Sequence, residues 1–353
     1  MNKRVRVLVV DDSALVRDIL VSGLGKDPGI EVVGSASDPY VARDRISQLK
    51  PEVLTLDVEM PRMDGVEFLR KLMPQHPLPV VMVSALTERS AKTTLDALDA
   101  GAVDFVTKPK ADVARGLEAM MVELRTKVKI ASTIDVSKWK NGSAERRNPV
   151  SSVEKGTLAT STDKVIVIGA STGGTEAIRE VITHLPRTTP GVVITQHMPA
   201  GFTKMFAERL NQLCEMEVKE AANGDRILQG RILISPGGLQ TRIVRSGGTY
   251  TVDVHPGELV CGHCPSVEVL MQSAAKHVGA NAVAAMLTGM GGDGALGMKA
   301  MRDAGARTLA QDEASCVVFG MPKVAWEKGG VERLIPLRDI AGGILGLIRE
   351  MSR

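Results

Sequence analysis

Residues 165–178 read VIVIGASTGGTEAI. An apolar run, Val165 to Ile168, breaks into Gly169-Ala170-Ser171-Thr172-Gly173-Gly174, and a helical pattern follows. Strand, glycine-rich turn and helix in succession form the βα unit of a parallel sheet. Three chemistries use such a turn. A phosphate-cradling P-loop needs Gly-Lys-Ser/Thr, and no lysine follows Gly173-Gly174. A dinucleotide fingerprint needs a second glycine where Ser171 stands, and an acidic residue after the next strand, where Gln196 and His197 stand instead. The third is G-x-S-x-G, in which small neighbours allow a sharp turn that lifts Ser171 clear of the sheet. The Thr172 N–H, at the helix start, can then face a developing oxyanion. By itself the pentapeptide fits a plain glycine-rich helix start equally well, so the reading depends on partners.

His197 ends the next predicted strand, Gly191–Gln196, and so falls on the same rim as Ser171. The other five histidines, His76, His184, His255, His263 and His277, read mostly as solvated loop or helix-end residues. In 287-LTGMGGDGALG-297 an apolar strand ends in a glycine-rich turn that carries Asp293 ahead of a helix. An Asp-Gly turn explains Asp293 alone. Together, Ser171, His197 and Asp293 supply a nucleophile, a base and an orienting carboxylate at strand ends. Their order, Ser…His…Asp, departs from the Ser…Asp…His order of α/β-hydrolases.

The same rhythm runs through the first third of the chain. Val5–Val10, Ile30–Ser35, Val53–Asp57, Val80–Ser84 and Val103–Thr107 read as strands, each followed by helical spacing such as Ala14–Leu24 and Val113–Val128. A doubly wound sheet gathers its functional groups at the carboxyl ends of its strands. Asp11 and Asp12 end the first strand and Asp57 the third, so three carboxylates converge. Unpaired, they repel one another; a hard cation such as Mg²⁺ resolves the conflict. Ser84 ends the fourth strand, and Lys108 follows the fifth. Residues 130–163, rich in Ser, Thr, Asn, Lys and Gly, read as a flexible linker in which Trp139 is the one aromatic. The predicted organisation is therefore a flavodoxin-like α/β domain over 1–129, a linker over 130–163, and a second α/β domain over 164–353. The second is Rossmann-like with a mainly parallel sheet. It also contains a hairpin at Thr241–Arg245 and Thr249–Val254 around Gly247-Gly248.

The net charge of +3 over 353 residues argues against nucleic acid as a partner. No apolar run is long enough to insert into a bilayer, and the basic start MNKRVRVLVVDDS lacks a signal-peptide core. Four cysteines in a chain of this length point to a reducing, cytoplasmic setting. The motif Cys261-Gly262-His263-Cys264 lacks the second ligand pair of a zinc site and the context of a redox motif, so it reads as a loop near the rim.

In VLVVDDSALVR, TLDVEMPRMDG, VVMVSA and GAVDFVTKP the first domain resembles response-regulator receiver domains over its whole length. The resemblance implies that Asp57 accepts a phosphoryl group from a histidine kinase. It also implies Mg²⁺ bound by Asp12, Asp57 and the Glu59 backbone carbonyl, with Asp11 acting through water. Ser84 and Lys108 then contact the phosphoryl oxygens, and Phe105 occupies the position of a switching aromatic. In VIGASTGG, VITQHMP, LTGMGGDGALGM and AQDEASCVVFGMP the second half resembles the catalytic domain of chemotaxis protein-glutamate methylesterases, the CheB family. That resemblance implies Ser171, His197 and Asp293 as a triad. It places Thr172 and Met290 at the oxyanion site and active-site wall, and calls for no cofactor in the ester chemistry. Its substrates are chemoreceptor glutamate methyl esters and glutamines, and the working form is a monomer. A DNA-binding response regulator is the rival reading; a βα-repeating output domain without a basic face argues against it. A catalytically dead adaptor is a second, opposed by the presence of all three triad residues.

Overall fold

The computed structural model describes residues 3–85, 87–109, 113–136 and 163–352, so Trp139 lies outside the described residues. The chain divides into two compact units, Met1–Asn148 and Pro149–Arg353.

In the first unit, β1 (Val5–Val10), β2 (Ile30–Ala36), β3 (Val53–Asp57), β4 (Val80–Ala85) and β5 (Asp104–Lys108) form a parallel sheet of order β2-β1-β3-β4-β5. The helices are α1 (Ala14–Gly25), α2 (Pro39–Leu49), α3 (Gly65–Gln75), α4 (Glu88–Asp99) and α5 (Val113–Ala131). β3 is buried along its whole length, as expected of a central strand covered on both faces. The side chains of Ser13, Asp38, Asp64 and Thr87 accept hydrogen bonds from the first-turn N–H groups of α1 to α4. Chain order reverses between β1 and β3, the position where ligands of open α/β sheets bind. The last helix runs on to Ala131, and Ala131 and Val136 are buried in this unit's core beside Leu124 and Val128. The first residues of the expected linker thus supply apolar side chains to that core.

In the second unit, seven strands lie parallel in the order β14-β13-β12-β6-β7-β9-β8. They are β6 (Val165–Ala170), β7 (Gly191–Gln196), β8 (Glu217–Glu220), β9 (Arg231–Ile234), β12 (Ala282–Met286), β13 (Arg307–Gln311) and β14 (Arg333–Ile335). The helices are α6 (Gly174–Ile182), α7 (Phe202–Asn211), α8 (Val267–His277), α9 (Ala295–Asp303), α10 (Met321–Glu327) and α11 (Leu337–Glu350). The hairpin β10 (Gln240–Ser246) and β11 (Thr249–His255) is antiparallel, and its Ile243, Tyr250 and Val252 share a core with Val267 and Leu270 of α8. β6, β7 and β12 are buried throughout, because parallel strands sheathed by helices have no wet face.

Two glycines set how closely α8 approaches the site. A Cβ at Gly169 would lie 2.3 Å from Val267 Cγ1, and one at Gly294 would lie 2.4 Å from the same atom. Only glycine lets the start of α8 settle against the end of β6 and the turn before α9.

Candidate active site

β6 lies between β12 and β7, so the turns after these three strands meet at the carboxyl edge. Chain order reverses between β12 and β6, placing this edge at the sheet's switch point. Ser171 follows β6 directly, His197 follows β7, and Asp293 stands in the turn before α9. The Ser171 Oγ lies 3.1 Å from His197 Nδ1, and His197 Nε2 lies 2.7 Å from Asp293 Oδ2. Asp293 accepts without donating, so it fixes the imidazole proton on Nε2 and leaves Nδ1 to receive the Ser171 hydroxyl. This is the reverse of the usual assignment in serine triads, where Nε2 faces the serine. Either nitrogen can serve as the base once the other is held as N–H.

Asp293 is buried and accepts three further hydrogen bonds. Ser266 Oγ donates to Oδ1 at 2.7 Å, the Glu268 N–H to Oδ1 at 3.0 Å, and the Val267 N–H to Oδ2 at 2.7 Å. The carboxylate therefore sits on the N-terminus of α8, where backbone N–H groups favour negative charge. Burial alone would raise the Asp293 carboxyl. The hydrogen bond and charge of His197, with Ser266 and the Glu268 N–H, outweigh burial and hold it below its ordinary value.

The turn bearing Ser171 is braced from two sides. The Ser171 N–H donates to the Thr288 carbonyl at 3.0 Å, and the Thr288 hydroxyl donates to the Thr172 carbonyl at 3.0 Å. Gln311, fully buried in β13, accepts the Thr288 N–H at 2.8 Å. On the other side, Gln196 Nε2 donates to the carbonyls of Ser171 (3.0 Å) and His197 (3.1 Å), tying nucleophile and base through one amide. Gly173 adopts φ 75°, and a Cβ there would lie 2.6 Å from Val317. Thr172 is buried and Met290 is 40% exposed.

His263 lies over the face of His197, with ring centroids 3.6 Å apart and planes inclined by 13°. The C-G-H-C loop therefore belongs to the rim. Its Cys261 and Cys264 are free, and burial pushes both thiols up, with the Asp293 and Glu268 carboxylates adding to the effect at Cys261. Raised thiols are poor nucleophiles and poor metal ligands. Sequence reasoning gives Gln196, Ser266, Thr288 and Gln311 no role in the site, and His263 enters it only as part of the loop read near the rim. The signal open to it was Ser266, placed three residues before Val269 at a helix start.

In the first unit, one oxygen from each of Asp11, Asp12 and Asp57 lies within 4.8 Å of the others. Lys108 Nζ sits 2.9 Å from Asp11 Oδ2 and 3.0 Å from Asp57 Oδ2. Burial pushes Asp57 up to about 6, against the pull of Lys108 and with a further push from Asp11. A set of oxygen donors, Asp11 and Asp57 buried and Asp12 exposed, with one lysine among three carboxylates suits a hard divalent cation. The Ser84 hydroxyl is buried, donates to the Ala85 carbonyl at 3.2 Å and accepts from Thr94 at 2.7 Å. The Glu59 carboxylate accepts from Ser90 at 2.5 Å. Phe105 is buried in β5, with the Lys127 ammonium 5.4 Å from its ring centre.

A doubly wound domain with an acidic switch-point pocket, joined to a domain with a Ser–His–Asp relay, defines a response regulator whose output is hydrolase-like. The family model described as response regulator receiver domain matches residues 7–119, and that described as CheB methylesterase matches residues 166–344. The chain is 67% identical to the protein-glutamate methylesterase/protein-glutamine glutaminase of Syntrophotalea carbinolica, over 99% of both chains. It is 52% identical to protein-glutamate methylesterase/protein-glutamine glutaminase 2 of Syntrophomonas wolfei, again over 99% of both. The crystal structure of the Thermotoga maritima CheB methylesterase catalytic domain, 34% identical, covers 53% of this chain and all of that one, with a TM-score of 0.52. The chain belongs to the CheB methylesterase family.

Proposed function

We propose that this chain is a phosphorylation-regulated serine hydrolase that demethylates glutamate methyl esters on chemoreceptors and deamidates receptor glutamines. The observation that carries the reading is the hydrogen-bonded line from Ser171 through His197 to Asp293 across three adjacent strands.

Ser171 Oγ attacks the ester carbonyl carbon as its proton passes to His197 Nδ1. Asp293 stabilises the imidazolium through Nε2–H. The oxyanion of the tetrahedral intermediate takes the Thr172 N–H at the head of α6, with Met290 as a wall beside it. His197 returns its proton to the departing oxygen, releasing methanol and leaving a glutamyl ester on Ser171. From a glutamine side chain the leaving group is ammonia. His197 then deprotonates a water, which attacks the acyl carbon and frees the glutamate carboxylate and Ser171.

In the receiver, Asp57 accepts a phosphoryl group from a histidine kinase. Mg²⁺ held by Asp12, Asp57 and the Glu59 carbonyl, with Asp11 through water, would neutralise charge during that transfer. Lys108 and Ser84 would contact the phosphoryl oxygens, and Phe105 would respond as the switching aromatic. The ester chemistry itself calls on protein side chains. Among the described residues no helix is long and apolar enough to cross a membrane. The four free thiols support a cytoplasmic setting, and the reading is of a monomer.

The test is methanol release from methylated receptor membranes. Ser171→Ala is expected to abolish it with the fold intact. Asp293→Asn is expected to be less severe by about one to two orders of magnitude, because it removes only orientation and charge support. Wild-type release by Ser171→Ala would overturn the assignment.

A further inference from the structure

The two bonds to His197 both lie at the edge of its ring. Together with the covalent Cβ attachment they set where the ring is held, but they lie in its plane and so resist a small out-of-plane tilt through χ1 and χ2 less strongly. A contact on a ring face resists that remaining tilt. The group on the face is His263, nearly parallel to His197 at a centroid distance of 3.6 Å.

The loop that presents His263 is built to hold it. Val260 and His263 form an antiparallel bridge, with the Val260 N–H donating to the His263 carbonyl at 3.0 Å and the His263 N–H to the Val260 carbonyl at 2.9 Å. Between them Cys261 and Gly262 have φ of 52° and 82°, the two left-handed residues that a tight two-residue hairpin turn requires. Buried Gln240 then fastens the turn to the rest of the site. Its Nε2 donates to the carbonyls of Glu258 (2.9 Å) and His263 (3.2 Å), and its Oε1 accepts the Ser266 N–H at 3.0 Å. Ser266 is the residue whose hydroxyl holds Asp293. The face support and the acid are thus anchored on one short segment, residues 258–268.

We propose that His263 is a positioning residue of the hydrolase: its ring plane sets the tilt of His197, so that Nδ1 stays aimed at Ser171 through both proton transfers. The inference rests on the triad reading above. The imidazole of His263 exchanges no proton with substrate in this role, so a flat ring of another kind can replace it.

The test uses the full-length protein and a small organophosphonate fluoride. That probe labels an activated serine without needing a receptor to dock. Labelling of Ser171 is followed by intact mass against time. For His263→Ala the labelling rate is expected to fall by about 10-fold to 100-fold, the scale at which misaligned groups lose reactivity. His263→Phe, which keeps a flat ring, is expected to stay within about 3-fold of wild type on the same reasoning. Methanol release from receptor membranes should follow the same order in kcat, with KM unchanged. If His263→Ala fails to fold, His263→Leu replaces it: leucine fills the space without a flat face and is expected to be slow where Phe is fast. Wild-type labelling of the Ala or Leu variant, a Phe variant as slow as Ala, or a change confined to KM would each overturn the proposal. If wild type is not labelled, or Ser171→Ala still is, the triad reading itself fails, and that result is distinct from any of these.

Discussion

The Ser266 hydroxyl stands 2.7 Å from Oδ1 of Asp293 while its oxygen also accepts the Val269 N–H at 3.4 Å. One side chain thus starts α8 and holds the acid of the relay. Ser266→Ala should lose the cap and one bond to a buried carboxylate. The expected cost is about 1–2 kcal/mol of stability, read by denaturant unfolding. Methanol release should fall by about 10-fold, equivalent to ~1.4 kcal/mol of transition-state stabilisation, with KM unchanged. Ser266→Thr, which keeps the hydroxyl, should recover most of both.

Asp293 has a defined signature in acid. Its carboxyl is lowered in the folded chain from the ordinary value of 3.8, so the folded state binds its proton less readily than the unfolded state. The stabilisation is fully present above the unfolded value and is lost as pH falls through the folded one. Unfolding free energy should therefore drop as pH falls below the ordinary value of 3.8 and through the lower folded one. Asp293→Asn, compared with wild type by urea unfolding across that window, should flatten the corresponding part of the slope.

Asp57 should carry the phosphoryl group. A small phosphodonor such as acetyl phosphate, supplied with Mg²⁺, is expected to add one phosphoryl mass to the intact chain, and a chelator is expected to prevent it. Asp57→Asn should show no adduct. An adduct that persisted on that variant would place the acceptor elsewhere.

Gly174 is expected to tolerate no side chain. An added Cβ would fall 2.1 Å from Gln196 Oε1 and 2.7 Å from the Ala170 Cβ. Gly174 is not in the left-handed region, so the cost arises from space alone. Gly174→Ala should push the Gln196 amide off the carbonyls of Ser171 and His197, destabilising by about 1–3 kcal/mol. Esterase turnover should fall further than stability predicts, which paired unfolding and methanol-release measurements would separate.

Much of this was legible in residues 165–170 and their counterparts. Six apolar or small residues ending at a glycine-rich turn encode a buried parallel strand, because only such a strand hides both faces. The strand-end rule then located Ser171, His197, Asp11, Asp12 and Asp57 before any contact was known. Short or mixed elements escaped. β8 (EVKE) and β14 (RLI) are too brief to show a period, and β13 (RTLAQ) opens on an arginine. α11 carries Gly342, Gly343 and Gly346, which weaken the local preference for helix.

The sequence by itself determined the alternation of strands and helices, the turn that bears Ser171, and which polar residues end strands. These depend on neighbours a few positions apart, and periodicity records them. Tertiary structure alone decided that β12, more than a hundred residues after β6, lies against it, with Ala282 opposite Val165 and Met286 opposite Gly169. It alone decided that Asp293 rests on the head of α8, that Gln196 bridges two backbone carbonyls, and that His263 covers His197. Those relationships join residues far apart in the chain. Close packing and the pairing of buried polar groups select them, and neither leaves a local pattern to read.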